Sequence, residues 1–142
     1  MMTFLKNFLA VVVGLVIGGL LNKLILKING SLIPLPAGVD VSTEAGLVNT
    51  IKLFNPINFL APFLAHAIGT FVAVWVTTKL AVTKSWNIAR IPGILFFIAG
   101  AYMVYLLQAP LWFETIDLVF AFLPMAWLGF LLARPNKKTN QG

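Results

Sequence analysis

Four long apolar runs take up most of the chain, and almost every charged residue lies near or beyond their ends. The runs cover residues 4–26, 59–81, 91–108 and 111–133. At about 1.5 Å of rise per helical residue, each run crosses a hydrocarbon core of roughly 30 Å, and the third needs almost its whole length to do so. The pattern therefore predicts an all-α membrane protein, a bundle of four transmembrane helices. Pro124 lies in the middle of the fourth run and predicts a kink there.

Residues 27–58 form the one long connection, and they contain a shorter periodic segment. Ser42 is placed to cap a helix that continues to Phe54, with apolar residues recurring on one face. The dipeptide Asn55-Pro56 then ends it. We expect a short interfacial helix in this external loop. The alternative is a lid over a cavity in the bundle.

Composition supports the membrane assignment and narrows the class of protein. Apolar residues make up 60% of the chain and charged residues 10%, with a mean hydropathy of +0.96. Soluble domains contain roughly 25% charged residues, so a soluble enzyme is excluded. No segment outside the runs is long enough to bury a core of its own, which makes residues 1–142 a single transmembrane domain. The chain has no cysteine, and this removes disulfides and thiolate metal sites.

The distribution of basic residues predicts the orientation in the membrane. With four spans, both termini and the middle loop share one side, which carries no acidic residue and seven basic ones: Lys6, Lys79, Lys84, Arg90, Arg134, Lys137 and Lys138. The other side carries four acidic residues and three basic ones: Asp40, Glu44, Glu114, Asp117, Lys23, Lys27 and Lys52. The positive-inside rule then places both termini in the cytoplasm.

The same basic residues predict which partners the protein meets. The side with the termini, including the cytoplasmic tail 134–142, should rest against anionic lipids. Nucleic acid is not an expected partner, because the charges stand at membrane ends and are not interleaved with aromatic residues.

Small residues recur at helical spacing on two of the runs. Gly14 and Gly18 form a G-x-x-x-G pair, and Ala65, Gly69 and Ala73 repeat every four residues. In lipid, helices associate through close backbone approach at such positions. The two faces predict either packing within the monomer or an interface in a homo-oligomer.

Polar residues from all four runs fall at similar depth in the external half of the bundle. They are Asn22, Lys23, His66, Thr70, Tyr102, Tyr105, Glu114 and Asp117. His66 lies about seven residues inside the second run, or roughly 10 Å. Ionisable groups at such depth usually face the bundle interior, so this set is a candidate polar or ligand site around His66 and Asp117.

A purely structural interpretation of the same residues stands beside the functional one. Lys23 and Glu114 are close enough to the surface to reach the headgroups. The tyrosines suit an aromatic belt, and His66 suits a hydrogen bond to a neighbouring helix. Asp117 suits the first turns of the fourth helix.

Sequence motifs give no support to catalysis or to a bound cofactor. The serines all lie in loops, and G-x-S-x-G, H-E-x-x-H, the P-loop and the dinucleotide fingerprint are absent. One histidine with two carboxylates is a sparse ligand set, so we expect no metal. The chain is therefore expected to be non-enzymatic, with no cofactor.

Three segments resemble a group of bacterial membrane proteins. They are Pro-Phe-Leu-Ala-His-Ala-Ile-Gly-Thr at 62–70, Pro-Leu-Trp-Phe-Glu-Thr-Ile-Asp at 110–117 and Leu-Pro-Met-Ala-Trp-Leu-Gly at 123–129. These resemble uncharacterised small four-helix inner-membrane proteins of Bacteroidetes type. The resemblance covers most of the chain, implies a multi-pass protein of the bacterial inner membrane, and brings no activity with it.

Two functions remain open from the sequence. The small-residue faces and the lack of recognisable chemistry favour a self-associating or accessory subunit of a larger membrane complex. The alternative is a small channel or transporter with an external-side polar site at His66 and Asp117. The first predicts a stable oligomer or complex, and the second predicts flux that depends on His66.

Overall fold

The computed structural model describes residues 1–135, and every regular element within them is helical. The helices are α1 (Met2–Leu32), α2 (Glu44–Thr50), α3 (Leu60–Leu80), α4 (Trp86–Leu107), α5 (Leu111–Ile116) and α6 (Leu123–Ala133). Two 3₁₀ turns, Ile51–Leu53 and Pro56–Phe59, connect α2 to α3, and a π turn, Asp117–Phe122, connects α5 to α6.

Four of these stretches are long and apolar enough to cross a membrane: Met2–Asn29, Pro56–Leu80, Trp86–Leu107 and Leu111–Ala133. The predicted all-α fold and the predicted four long apolar helices are therefore confirmed. Lys137 and Lys138 of the predicted tail lie outside the described residues.

Helix α4, the third of the four long helices, begins earlier than its apolar run predicts. It starts at Trp86 and not at residue 91, which leaves Pro92 inside the helix and fully buried. Proline has no amide hydrogen to donate and usually marks the first turn. Neighbouring helices make interior proline tolerable in membrane proteins, and here Pro92 packs in the bundle.

The short helix of the long connection is present, with a different cap. Thr43, and not Ser42, accepts a hydrogen bond from the Gly46 amide at the start of α2. Ser42 donates its amide and hydroxyl to the Asp40 carboxylate instead, at 2.9 and 2.6 Å. The α-helix also ends at Thr50, and the predicted remainder is a 3₁₀ turn. We call residues 44–59 the cover segment.

Helices α1 and α3 pack together through their small residues. A methyl group placed on Gly18 would lie 2.5 Å from the carbonyl oxygen of Gly69 and 2.6 Å from the Ala73 side chain. The Thr77 hydroxyl donates to the Ala10 carbonyl across the same interface, at 3.3 Å. Both small-residue faces predicted from the sequence are thus buried against each other within one chain, as the intramolecular interpretation requires.

Helix α3 is the centre of the bundle, because it contacts α1, α4, the π turn and α6. Glycine again permits close approach between helices: a methyl group on Gly129 of α6 would lie 2.5 Å from the Phe71 carbonyl oxygen. One on Gly93 of α4 would lie 2.6 Å from the Ala126 side chain. The interior is consequently rich in alanine, glycine and threonine, with few large side chains.

The end of the bundle near Met1 is fastened by a polar side chain. Asn7 accepts hydrogen bonds from the Val82 and Thr83 amides, at 2.9 and 3.1 Å, and donates to the Thr83 hydroxyl. These contacts tie the start of α1 to the loop between α3 and α4. Lys84 then donates to the Thr78 carbonyl, which is among the last acceptors of α3.

The fourth span is helical throughout residues 111–133 but contains a π-helical turn. The π turn Asp117–Phe122 separates α5 from α6, and Pro124 follows at the second position of α6. Proline leaves the carbonyl of Phe120 without its usual amide donor, which favours a wider turn upstream. The predicted irregularity is therefore present, but it lies before Pro124 and begins at Asp117.

Candidate functional site

A cavity lies at the end of the bundle that carries the cover segment. Its volume is about 120 Å³, and its walls are formed by α1, the cover segment, α3, α4 and α5. Leucine, isoleucine, valine, methionine and phenylalanine provide most of the lining. The polar lining consists of His66, Glu114 and Asp117.

His66 and Asp117 form a direct pair in the cavity wall. The His66 Nδ1 atom lies 2.7 Å from Asp117 Oδ2. The side chains are 22% and 4% exposed, so the carboxylate is the more deeply buried partner. His66 lies six positions after the first residue of α3, and Asp117 lies six positions after the first residue of α5, so each is about 9 Å inward. This contact links α3 to the fourth span, between residues 51 positions apart in the sequence.

The π turn and a glycine together orient the His66 ring. Phe122, at the end of the π turn, is 1% exposed and stacks on the imidazole with centroids 5.3 Å apart. The same phenyl ring lies against Gly100 of α4, where an added methyl group would collide with it. Because the imidazole has Asp117 on one edge and Phe122 on its face, its orientation is fixed by the first and last residues of the π turn.

Two carboxylate oxygens in this region have no hydrogen-bond partner. They are Asp117 Oδ1 and Glu114 Oε1, and both atoms are buried. A buried polar atom without a partner costs about 1–3 kcal/mol, and more when the group is charged. Functional sites are one of the places where native proteins keep such groups.

The cover segment forms one wall of the cavity with apolar side chains. Leu47, Ile51 and Phe54 of this segment line the cavity. Phe59 then packs on Phe113 of α5, with ring centroids 4.5 Å apart, and on Trp112, at 5.5 Å. These aromatic contacts fasten the cover segment to α5, four residues from Asp117. The cover segment therefore lies over this end of the bundle, a position that both the interfacial-helix and the lid interpretations allow.

A second cavity adjoins the first on the side of α1. It measures about 360 Å³ and shares four lining residues with the first cavity: Leu26, Leu47, Phe54 and Pro62. Its other lining includes Lys27 and Asn29 near the end of α1. The shared side chains form the partition between the two spaces, and α2 provides one of them.

The structure brings together three of the eight polar residues predicted for the site and places five elsewhere. Lys23 is exposed on the outer face of α1, and Asn22 lies against Gly69 in the α1–α3 interface. Tyr102 and Tyr105 are 60% and 78% exposed on the outer face of α4. Sequence depth put these residues at one level, but their helical faces point away from the cavity.

Thr70 is the fifth of these residues. It is fully buried one turn beyond His66, and its hydroxyl has no hydrogen-bond partner. It does not line the cavity. Thr70 therefore places a second polar side chain on α3, one turn from His66 and outside the cavity.

The imidazole and the two carboxyl groups of this site can bind a proton or a polar ligand. Within residues 1–135, no three histidine, cysteine, aspartate or glutamate side chains lie close enough together to hold a metal ion. One ring nitrogen of His66 is hydrogen-bonded to Asp117, which leaves the other ring nitrogen for a second partner. Glu114 and Asp117 add two acceptor oxygens.

Sequence reasoning missed the residues that position the pair. From the sequence alone, Phe122 and Gly100 are indistinguishable from other lipid-facing or packing residues of the apolar runs. Pro124 was the available signal, because an interior proline predicts an irregular turn nearby. The sequence did not reveal that the turn would carry Asp117 at one end and Phe122 at the other.

Comparison with protein-family models, with curated proteins and with solved structures finds no match to this chain. The similarity to small Bacteroidetes membrane proteins therefore stays a prediction, and the site has to be interpreted from its own geometry.

Proposed function

We propose that the protein is a small non-enzymatic membrane carrier that holds its substrate at the His66–Asp117 pair, beneath the cover segment. The observation that supports this most directly is Asp117. Its side chain is 4% exposed, and one carboxyl oxygen is hydrogen-bonded to His66. The other oxygen has no hydrogen-bond partner and lies at a mainly apolar cavity. A ligand that donates a hydrogen bond there would satisfy the buried oxygen.

The π turn in the fourth span supports a functional role for this site. Here Asp117 is the first residue of the π turn, and π turns occur frequently at functional sites. The adjoining larger cavity provides the access route, with Leu47 and Phe54 of the cover segment at the partition.

We further propose that the protein lies in the bacterial inner membrane with both termini in the cytoplasm. The basic residues near the termini and in the loop after α3 support this orientation through the positive-inside rule. The cover segment and the cavity then face the outside, and the substrate would load from there.

Self-association, or membership of a larger membrane complex, was predicted from the small-residue faces. Gly14 and Gly18 are buried against α3, so neither is available for a contact with another chain. An oligomer would have to use another surface of the bundle. The mass of the gently solubilised particle measures this, and a monomer would remove the prediction.

The carrier proposal is tested by uptake into liposomes that contain the purified protein. Radiolabelled solutes of about five non-hydrogen atoms, chosen to include cations, anions and neutral alcohols, match the size of the cavity. At least one solute class should enter faster than into protein-free liposomes. Asp117→Asn should reduce that uptake to the protein-free rate, while Tyr105→Phe, on the exposed face of α4, should leave it unchanged.

The result that would refute the carrier proposal is equally definite. Uptake that is no faster than in protein-free liposomes for every solute class removes transport. Accelerated uptake that is the same in Asp117→Asn and the unmodified protein removes this site from the route.

A further inference from the structure

The charges that line the cavity are unequal. Glu114 and Asp117 contribute two carboxyl groups, and His66 contributes one imidazole. No lysine or arginine among the described residues lines this cavity, and Lys27 belongs to the adjoining one. An ion buried without a counter-charge is expensive, so the cavity favours a positively charged occupant.

The free oxygens specify what the occupant must offer. Asp117 Oδ1 and Glu114 Oε1 are both buried without a partner, and as carboxylates they only accept hydrogen bonds. The two residues are three positions apart at the start of the fourth span, so their side chains share a helix face. One donor group placed between them can serve both oxygens.

The cavity walls and the cavity volume limit the size and polarity of the rest of the ligand. The space of about 120 Å³ is bounded mainly by apolar side chains such as Met103, Val104 and Leu107 of α4. An apolar protein cavity of about 150 Å³ accommodates benzene, so this one suits about five non-hydrogen atoms. The ligand should therefore be a short hydrocarbon with one charged end.

We propose that the site is selective for a small primary ammonium ion with a short alkyl chain. The ammonium group donates to Asp117 Oδ1 and Glu114 Oε1, and the chain lies against α4 beneath the cover segment. This inference rests on the proposed binding role of the cavity. It adds the substrate class: a cation with N–H donors, in preference to an anion, a neutral alcohol or a quaternary ammonium ion.

Four probes of similar size separate these properties. n-Butylammonium has charge and N–H donors, tetramethylammonium has charge without donors, 1-butanol has a donor without charge, and butyrate has the opposite charge. Binding to the purified protein in mild detergent is measured by titration calorimetry at pH 7. n-Butylammonium should bind at least tenfold more tightly than each of the others, as expected for charge-assisted hydrogen bonds.

Two variants assign the binding to the named oxygens. Asp117→Asn and Glu114→Gln should each weaken n-butylammonium binding by about tenfold or more. Glu114 is only half-buried, so Glu114→Gln keeps the test valid if Asp117→Asn disturbs folding. Tyr105→Phe is the matched control and should bind like the unmodified protein, because Tyr105 is 78% exposed on α4.

Each contrary result has a distinct meaning. Equal binding of 1-butanol and n-butylammonium, unchanged in both variants, would show an apolar cavity without cation selectivity and overturn the inference. Tighter binding of butyrate would show that the carboxyl groups hold protons and donate, and this also overturns it. Selective n-butylammonium binding without uptake into liposomes would support the inference while removing the carrier proposal.

Discussion

Replacing Gly18 by alanine tests the packing on which the whole bundle depends. The added methyl group would lie 2.5 Å from the Gly69 carbonyl oxygen and 2.6 Å from the Ala73 side chain, whereas ordinary contacts begin at 3.4 Å. The obstacle includes backbone, which a rotamer change cannot move. Helix α1 must therefore retreat from α3 by about 0.9 Å, the difference between 3.4 and 2.5 Å.

The energetic cost follows from that displacement. The full attraction between two atoms in contact is about 0.1–0.2 kcal/mol. A gap of roughly 0.5–1 Å between them removes a quarter to a half of that attraction. If roughly twenty atom pairs across the interface lose half of it, the loss is about 1–2 kcal/mol. Measured costs of overpacking, about 1–3 kcal/mol, cover the same range.

Gly19 supplies the matched control on the same helix. A methyl group there would meet no atom within 4 Å. Alanine is also favoured over glycine in a helix by roughly 1 kcal/mol, and this gain applies to both variants. The free energy of unfolding of Gly18→Ala should therefore be about 1–3 kcal/mol lower than that of Gly19→Ala.

The assay is reversible unfolding by sodium dodecyl sulfate in mixed micelles, followed by tryptophan fluorescence. Equal unfolding free energies for Gly18→Ala and Gly19→Ala would refute the close α1–α3 contact. Particle mass in mild detergent should be the same for both variants, since the contact is within one chain. A mass lowered only in Gly18→Ala would show instead that this face joins two chains.

Three further predictions concern other contacts. Asn7→Ala should lower the free energy of unfolding by about 1–2 kcal/mol, because two amides lose their acceptor, while n-butylammonium affinity stays unchanged. Gly100→Ala should displace Phe122 and change the ring-current shifts of the imidazole in proton NMR, and unchanged shifts would contradict the stacking. Hydrogen bonds from the Ser42 hydroxyl and amide lower the pKa of Asp40 below its ordinary 3.8. The lowered pKa means that the Asp40 carboxylate stabilises the turn it forms with Ser42, just before α2, above pH 3.8 and loses this effect as the pH falls through the folded-state value. The amide resonance of Ser42 should therefore titrate with a midpoint below 3.8, and a midpoint at or above it would contradict the assignment.

Hydrophobic length and small-residue spacing were sufficient to predict the four long apolar helices and the small-residue faces on two of them, but not that these faces pack against each other within one chain. A membrane helix must satisfy its backbone hydrogen bonds internally, so a long apolar run has few alternatives to a helix. Glycines four positions apart lie on one face of that helix whatever surrounds it. These properties are local, and the sequence by itself determines them.

The site depended on the tertiary structure. Sequence depth placed eight polar residues at one level, but the rotation of each helix decided that His66, Glu114 and Asp117 face the cavity while Tyr102 and Tyr105 face outward. Rotation is set by packing between helices, since an almost uniformly apolar helix has no face that its own pattern selects. Pro124 makes an irregular turn in the fourth span predictable, but only the packing of that span against α3 and α4 brings Asp117 to His66 and places Phe122 over its ring.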